Sequence, residues 1–561
     1  MSKKFWSILL VLVSTTAIFT GCSETEQPTS TVTSNDIQEI ELSPEGYPIA
    51  EKQELVYNLG SDPLTIDPQL NAAIDGSQII NNIFDGLVRE VDRKTVPAIA
   101  ESWTISDDGL TYIFNIREDA KWSDGQPVTA HDFVFAWQRA ADPKTASTYA
   151  YVMESANILN ATAVTKGDLP PSELGVRAID DKTFEVTLTN PTEYLLQLIT
   201  AAAFMPVRSD IVDVNGTWAK NPETAISNGP FKLAKYTIGD EFILVKNENY
   251  WDAENVALEK ITCKIIVDSS TAYTAYTTGQ LDLLETIPAA EIPKLMVENP
   301  EFYVQPDIGT YFMIMNLNNE VFDDMNVRKA LNYAIDRKTI TELTAAGEVP
   351  ATGFVGPGFF DEQGNEFQDG ASDYNIPIQA DIAAAQKFLS DAGYPDGEGF
   401  PEIEILYNTN ETHKIVAEAI QEMWSENLGI DVTLINQEWA VFQEIRIHQQ
   451  YDDIARHGWL GDYADPFAML SIFETGHPHN NGPYSNPEFD EQLALSKTTI
   501  GQERMNHLYK AEEILMSDLP IIPVYYYVNV LLAADEIEGW ELNSQGRFWF
   551  GDIVMLDIES N

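Results

Sequence analysis

The sequence predicts an α/β protein with more than one domain. Segments typical of strands alternate along the chain with segments typical of helices, as in folds that layer helices on sheets. The length of 561 residues exceeds what one hydrophobic core supports, and the hydrophobic share of 44% is enough for several cores. These observations fit two α/β bodies with an inserted region, three domains in total.

The N-terminal segment predicts export and a lipid anchor. An apolar run over residues 5–19 follows two lysines and is too short, and too polar at its end, for a comfortable transmembrane helix. The residues FTGC at 19–22 resemble a bacterial lipobox, in which the cysteine is lipidated and begins the mature chain. We therefore expect a signal peptide over residues 1–21 and lipidation of Cys22. The alternative is cleavage elsewhere, with Cys22 lost.

The segment after the signal predicts a flexible tether over residues 22–47. It is rich in Ser, Thr, Glu and Pro and has no helical apolar stripe. A flexible coil of this length spans roughly 25 to 30 Å, enough to hold a globular body just off a membrane surface. The second of the two cysteines, Cys263, stands alone in a strand-like stretch and is expected to be a small buried hydrophobe.

The first half of the body contains a helix start and a βαβ unit. Residues 111–117 alternate like a strand, and Thr129 with Asp132 forms a capping box ahead of a helix. Further on, residues 261–267 are typical of a strand, the stretch ending at Gly279 of a helix, and LDLL of a second strand. This order predicts a compact βαβ unit.

The second half contains three helical patterns, of which two end at a glycine. The three patterns are VRKALNYAI, with Val327, Leu331, Ala334 and Ile335 on one face; DIAAAQKFLSDAGYP, ending at Gly393; and HKIVAEAIQEMWSENLG over residues 413–429, followed by the alternating strand IDVTLIN.

The charge balance excludes a nucleic-acid partner. The chain has 88 acidic and 33 basic residues, a formal net charge of −55. A face that binds phosphates must be basic, and here it would stand in a strongly repulsive field. We interpret the acidity as a source of solubility or as adaptation to a saline or alkaline medium.

The sequence contains no clear catalytic, metal or cofactor motif. The seven histidines are scattered, and HPHN at 477–480 is interpreted as a solvated turn. Nucleophile-elbow, Walker and dinucleotide fingerprints are absent. Asp462 and Asp465 could form an acid pair of a hydrolase, but a chain with 88 acids produces such spacings freely. We therefore expect a protein that is not an enzyme, with no metal and no cofactor.

Aromatic residues are concentrated beside polar anchors in four stretches, EWAVF, RHGWLGDY, PVYYYVN and ASTYAYV. Some of these rings belong to ordinary cores. In a protein that binds chemically varied ligands, rigid amphipathic rings also supply contact area at a small entropic cost.

Several segments together resemble the oligopeptide-binding proteins of ABC importers, a group of the family 5 extracellular solute-binding proteins. The segments are residues 50–68, 122–151, 327–340, 436–439, 458–466 and 520–529. The resemblance covers essentially the whole mature body. It implies a periplasmic-binding-protein type II fold, with two lobes around a cleft and an additional inserted domain. The implied parts are lobe I (48–84, 208–308 and 529–561), the inserted domain (85–207) and lobe III (309–528).

The resemblance also implies a peptide site. In that family the acid of the W-x-x-D-Y stretch pairs with the α-ammonium of the bound peptide, and here it falls on Asp462. Trp459 would line a side-chain pocket, and two strand edges would hold the extended peptide. The implied edges are Gly458, Trp459 and Leu460 on one side, and Ala72, Ala73 and Ile74 on the other.

Further residues follow from the same resemblance. The aromatic lining would include Tyr149, Tyr527 and Trp439, and peptide carboxylates would be received by Arg446, Arg456 and His413. The alternative for each of these last three is an ordinary surface ion pair. The chain departs from the family pattern at Ala72, Thr344 and Asp307, which leaves ligand length and charge open.

The implied function is a monomeric, lipid-anchored receptor on the extracellular face of the cell membrane that delivers oligopeptides to the permease of an ABC importer. Two alternatives remain open at this point. A protein of the same fold could capture a peptide pheromone for signalling, or the chain could be an exported hydrolase.

Overall fold

The computed structural model describes residues 42–71, 73–91, 93–212, 217–361, 364–461 and 463–558. Of the predicted features, the signal peptide, Cys22, Ala72 and Asp462 lie outside the described residues. Within the described residues no helix is both long and apolar enough to cross a membrane.

The fold is mixed α/β. The strands are β1 (Glu54–Asn58), β2 (Val88–Val91), β3 (Lys94–Pro97), β4 (Ala100–Ile105), β5 (Thr111–Ile116), β6 (Val176–Asp180), β7 (Thr183–Thr187), β8 (Phe231–Thr237), β9 (Glu241–Lys246), β10 (Lys260–Lys264), β11 (Leu283–Leu284), β12 (Phe302–Met315), β13 (Val349–Pro350), β14 (Ile403–Asn408), β15 (Val432–Gln437), β16 (Ile454–Leu460), β17 (Ile521–Ala533), β18 (Ile537–Glu538) and β19 (Val554–Met555). The helices are α1 (Ile74–Ile83), α2 (Ala130–Ala141), α3 (Tyr151–Ser155), α4 (Ala161–Thr165), α5 (Leu195–Leu198), α6 (Ser269–Thr277), α7 (Ile292–Glu298), α8 (Met325–Tyr333), α9 (Arg337–Thr344), α10 (Phe367–Gly370), α11 (Ile382–Asp391), α12 (Glu411–Leu428), α13 (Trp439–Ile447), α14 (Pro466–Leu470), α15 (Pro487–Ser496) and α16 (Gly501–Asp518).

One large sheet passes through both lobes. Its strand order is β15-β14-β16-β12-β17-β11-β1-β10-β9-β8, and β13 pairs with β17 beside this path. Strands β1 and β8 to β11 form the lobe I side, whereas β14 to β16 form the lobe III side. The long strands β12 and β17, with 14 and 13 residues, lie between the two sides and join them. The predicted α/β class and the two-lobe arrangement are confirmed.

The pairing of β12 with β17 is irregular where the strands pass from one lobe to the other. The antiparallel register shifts between Pro306 and Thr310 and again between Tyr311 and Phe312. Bulges of this kind bend a strand and increase its local twist. The predicted boundary between residues 308 and 309 falls within this irregular segment.

The inserted region contains its own antiparallel sheet, with strand order β4-β5-β7-β6. Helix α2 packs on it through Trp137, whose ring lies 5.1 Å from that of Phe184. The predicted capping box is confirmed: Asp132 accepts the backbone N–H of Thr129 at 2.8 Å. The predicted strand at 111–117 corresponds to β5.

The predicted βαβ unit corresponds to β10, α6 and β11. Both strands pair in parallel with β1, which lies between them. Gly279, with φ of +69°, follows the helix and adopts the left-handed conformation that glycine favours. Cys263 in β10 is fully buried, as expected for a small hydrophobe.

The helices predicted in the second half of the chain are present in lobe III as α8, α11 and α12. The four residues placed on one face of α8 and its extension are all buried, and α12 ends at Leu428 with Gly429 at φ +71° as its cap. Trp424 on α12 donates its indole N–H to the carbonyl of Leu331, at 2.9 Å. This bond fastens α12 to α8 beneath the sheet.

The last part of the predicted tether contacts the folded body. Leu42 forms an isolated antiparallel bridge with Pro48, and Ser43 donates its hydroxyl hydrogen to the carboxylate of Glu538. The backbone N–H of Glu45 donates to the same carboxylate, at 3.2 Å. Residues 42–47 therefore lie against the C-terminal region, and ordered contacts begin before the predicted boundary at residue 48.

A buried carboxylate holds the loop behind the β12–β17 pair. Glu512 on α16 accepts the backbone N–H groups of Phe354 and Val355, each at 2.8 Å, and the hydroxyl of Tyr374 at 2.9 Å. The same loop accepts the hydroxyl of Thr310 on β12, through the carbonyl of Phe354. Burial raises the pKa of Glu512 from 4.5 to about 7.

Replacing Glu512 with Gln should change how stability depends on pH. Between pH 4.5 and about 7 the unfolded chain ionises Glu512 while the folded chain keeps it protonated, so wild-type stability falls as the pH rises. E512Q lacks this loss, so its free energy of unfolding relative to wild type should rise by up to about 3 kcal/mol from pH 5 to pH 8. Denaturant unfolding at several pH values measures this difference.

The control is Glu513→Gln, because Glu513 is half-exposed on the same helix and pairs with Lys510. E513Q should follow the wild-type pH profile. Parallel profiles for E512Q and wild type would contradict the prediction.

Candidate functional site

Neighbouring strands of lobe III place several of the predicted residues on one face of the sheet. Arg456 on β16 is opposite Met313 on β12, and Gly458 is opposite Tyr311, which in turn pairs with Tyr525 on β17. Opposed residues share a face, and residues two apart on a strand do so as well. Arg456, Gly458, Tyr311 and Tyr527 therefore lie on the same side of the sheet.

Gly458 lets the side chain of Tyr527 lie directly over β16. A Cβ atom built on Gly458 would come within 2.3 Å of the Tyr527 hydroxyl oxygen. That hydroxyl accepts a hydrogen bond from the guanidinium of Arg456, at 3.2 Å. Gly458 is thus required by close approach, and its backbone conformation is not unusual.

Arg456 lies over the ring of Tyr311 and, within the described part of the chain, has no carboxylate partner. Its guanidinium lies 4.9 Å from the ring centre of Tyr311, and only 8% of its surface is exposed. Its Nε has no hydrogen-bond partner. Burial raises the pKa of Tyr311, so this ring is neutral at physiological pH and does not offset the charge.

Arg446 comes to the same region from the last turn of α13. Its guanidinium donates to Gln443 at 2.6 Å and lies 5.3 Å from the ring centre of Phe442. The side chain is 7% exposed, and Nε has no partner. Burial, together with the nearby charge of Arg456, lowers the pKa of Arg446 to about 10, so it remains charged at neutral pH.

His413 faces the same aromatic group from the first turn of α12. Its backbone N–H donates to the side chain of Asn410, the N-cap, and its ring lies 5.5 Å from that of Tyr311. The Nδ1 atom is buried without a partner. Burial and the charge of Arg456 lower the pKa of His413 to about 3, so the imidazole is neutral and can donate from only one nitrogen.

The surface ion pairs considered for Arg446, Arg456 and His413 are not observed. Both arginines are buried, and among the described residues none of the three side chains lies within 4.0 Å of a carboxylate. The three sequence-predicted residues are brought together, with Tyr527, into one cationic group. We call Arg446, Arg456, His413, Tyr311 and Tyr527 the arginine–tyrosine cluster.

Beside this cluster, one edge of β16 is open. Strand β12 pairs with β16 along its whole length, from Ile454 to Leu460. On its other side β16 pairs with β14 only at Ile454 and Ala455. Within the described chain no strand covers that side from Arg456 to Leu460, and Leu460 is 51% exposed. The predicted edge at 458–460 is thus extended and unpaired.

The facing edge differs from the prediction. Ala73 is extended, but its carbonyl already accepts the N–H of Ser77 and the amide of Asn71, each at 3.0 Å. Ile74 is the first residue of α1 and is therefore helical. Of the described part of this segment, only Ala73 has strand-like geometry, because the helix begins directly after it.

Asp465 has a structural role. Its two carboxylate oxygens accept hydrogen bonds from Arg504, at 2.8 and 2.9 Å, and one of them also caps α14 by accepting the N–H of Phe467. Glu193 of the inserted domain lies 3.7 Å from the same arginine. Asp465 is thus not available as half of a catalytic acid pair, which removes the observation that favoured a hydrolase.

The predicted aromatic residues are spread over three places. Trp459 points to the face opposite Arg456; its indole N–H donates to Ala468 at 2.8 Å, and its ring lies 4.9 Å from that of His479. Trp439, the first residue of α13, is 51% exposed. Tyr149 lies in the inserted domain, 5.4 Å from the ring of Tyr151. Only Tyr527 belongs to the arginine–tyrosine cluster.

Two departures from the family pattern have defined surroundings. Asp307 lies in the irregular segment of β12, and burial raises its pKa. Thr344 donates its hydroxyl hydrogen to Glu348, at 2.9 Å.

Tyr311 is a member of the cluster that sequence reasoning missed. The stretch GTYFMIM around it alternates like a strand, and pairing that strand with GWL would have placed Tyr311 beside Gly458. For metals, no group of three or more His, Cys, Asp or Glu side chains converges within the described residues.

Comparison with known proteins identifies the family. Residues 94–481 match the family model described as "Bacterial extracellular solute-binding proteins, family 5 Middle". The periplasmic murein peptide-binding protein of Escherichia coli K12 is 36% identical over 89% of this chain and 93% of its own length. The periplasmic oligopeptide-binding protein of Salmonella typhimurium is 35% identical, over 89% and 91%.

Two solved structures are similar to this chain over most of its length. The unliganded open form of the murein tripeptide-binding protein has a TM-score of 0.82 at 34% identity, covering 92% of this chain and all of that one. The Haemophilus influenzae oligopeptide-binding protein in complex with RPPGFSPFR has a TM-score of 0.70 at 35% identity, covering 91% and 100%. The chain belongs to family 5 of the bacterial extracellular solute-binding proteins.

Proposed function

We propose that this protein is an exported, lipid-anchored receptor that captures oligopeptides in extended form and delivers them to the permease of an ABC importer. The observation that carries the proposal is the open edge of β16 beside two buried arginines that have no counter-charge among the residues that the structure describes. The names of the relatives, which bind murein peptides and oligopeptides, support it.

The open edge suits a ligand of any sequence. A peptide added to Gly458, Trp459 and Leu460 would hydrogen-bond through its main chain, the common feature of all peptides. The partly exposed rings of Trp459 and Trp439 would contact ligand side chains without demanding one residue type. Because the strand edge would bind the main chain and the rings would only contact the side chains, the site would select extended peptides and distinguish their side chains loosely.

The two ends of the peptide would be held by charge. Asp462 would pair with the α-ammonium, a charge-assisted hydrogen bond contributing about 1.5 to 3 kcal/mol. The arginine–tyrosine cluster would receive the carboxylate, with His413 contributing a neutral imidazole. Because Asp465 is occupied by Arg504, no second acid competes for the ammonium from that position.

The position of the site between the two lobes also explains how the lobes would close over a peptide and how the complex would reach the permease. The open form exposes the site, and a ligand that contacts both lobes stabilises the closed form by its differential affinity. The anchor at Cys22 and the tether would keep the closed complex near the permease. The chain would act by binding alone, with no catalysed reaction.

The proposal is tested with protein purified without denaturation. Mass spectrometry of the bound material should find peptides, and calorimetry with ligand-free protein should give affinities near the micromolar range, about −8 kcal/mol. Small-angle scattering should show compaction on binding. Absence of peptide from the purified protein, together with no binding by tri-, tetra- and pentapeptides, would contradict the proposal.

Asp462→Ala should weaken peptides that have a free N-terminus by about 10- to 150-fold, because the charge-assisted bond is lost. N-acetylated peptides should be affected little. Calorimetry with both ligand series measures this, with Asp391→Ala, an exposed acid on α11, as the control. Equal losses for free and acetylated peptides would place the ammonium elsewhere.

Gly458→Ala should weaken all peptides, since the added methyl group displaces the Tyr527 hydroxyl from above β16. A double-mutant cycle identifies the cause: in the Tyr527→Phe background the same substitution should cost less, by about 1 kcal/mol, because the clashing atom is absent. Additive effects would show that the methyl group obstructs the ligand and not the tyrosine.

A further inference from the structure

The buried arginines of lobe III differ in how their charges are met. Arg337 is fully buried, and its guanidinium donates to backbone carbonyls, including that of Pro523 at 2.7 Å, and to the side chain of Asn332 at 2.8 Å. Arg504 is 3% exposed and bound by Asp465. These two buried arginines are therefore surrounded by oxygen atoms or paired with an acid.

Arg446 and Arg456 are exceptions. Among the described residues, the guanidinium of Arg446 donates to Gln443 and that of Arg456 to Tyr527, and the Nε atom of each has no partner. A buried charge lowers the stability of the fold unless it is paired with an opposite charge or hydrogen-bonded. A buried charge that lacks its partner is strongly destabilising. Two positive charges are thus kept in the cluster at a cost to stability.

The surroundings of the two arginines reduce this loss of stability but do not remove it. Arg446 lies in the last turn of α13, where the free carbonyl groups of a helix favour a cation. Asp307 and Glu348 influence the electrostatic surroundings of Tyr527, but neither lies within 4.0 Å of either arginine. The remaining polar atoms without partners, the Tyr311 hydroxyl and His413 Nδ1, belong to neutral groups.

The two positive charges of Arg446 and Arg456 indicate how many carboxylates the preferred ligand carries. This inference rests on the proposed function: one terminal carboxylate would offset one of the two buried charges and leave the other unpaired. We propose that the cleft prefers peptides whose last residue is Asp or Glu, which bring two carboxylates. Arg456, on the strand beside the open edge, would take the main-chain carboxylate, and Arg446, on α13, the side-chain carboxylate.

The test compares ligands that differ by one charge. Peptides of three to five residues, alanine except for a C-terminal Glu or Gln, are titrated into the mature protein by calorimetry. At the preferred length the Glu peptide should bind about tenfold more tightly than its Gln counterpart, as expected for one added charge-assisted bond. This ratio cancels the contribution of the main chain.

Substitutions of Arg446 test whether this residue causes the difference in affinity between the Glu and Gln peptides. Arg446→Gln should bring the Glu-to-Gln ratio close to one, whereas Arg446→Lys should retain part of it. Arg177→Gln is the control, because Arg177 is 70% exposed in a surface pair with Glu185 on the inserted domain. The ratio in this variant should equal that of wild type, and circular dichroism confirms that each variant is folded.

The outcomes separate this inference from the proposed function. If peptides bind but the ratio is near one at every length, the two arginines act one at a time on ligands of different lengths, and the inference is overturned. If the ratio survives Arg446→Gln, the second carboxylate lies elsewhere, which overturns it as well. If no peptide binds, the proposed function fails together with it.

Discussion

The structure depends on the pairing of β12 with β17. These two strands belong to both lobes, so the backbone hydrogen bonds between them join the halves of the molecule. They also carry Tyr311 and Tyr527, the aromatic part of the arginine–tyrosine cluster. The register shifts between Pro306 and Phe312 place a bend between the lobes, beside the site. A change in the angle between the lobes would therefore move Tyr311 and Tyr527 of the arginine–tyrosine cluster.

The cluster contrasts with the rest of the chain in its electrostatics. Although the chain has 88 acidic residues, Arg446 and Arg456 differ from Arg504 in having no carboxylate within 4.0 Å among the described residues. They differ from Arg337 in leaving Nε without a partner there. Folded proteins tend to break the rule that buried charges are paired where a ligand completes the pairing. The unpaired arginines cost stability locally, while Glu512, Asp465 and Arg337 hold the surrounding segments through hydrogen bonds.

Local features of the fold could be predicted from the sequence because they depend on nearby residues. The capping box at Thr129, the glycine cap at Gly429 and the buried Cys263 are examples. The start of a helix at Ile74 and the contact of Ser43 with Glu538 could not be predicted from the sequence, because they depend on partners elsewhere in the fold. For the site, the resemblance named Arg446, Arg456 and His413, but only the folded structure shows that the two arginines are buried, and the register of β12 with β16 adds Tyr311 to them.

Lobe I is assembled from both ends of the chain. Ile49 bridges to Leu556, the amide of Gln53 bonds the backbone of Met555, and the side chains of α1 hold the carbonyl of Phe548. A growing polypeptide cannot complete this lobe until its final residues have been synthesised. This lobe of the nascent chain would therefore stay incompletely folded during most of translation, a state compatible with the export that the N-terminal segment predicts.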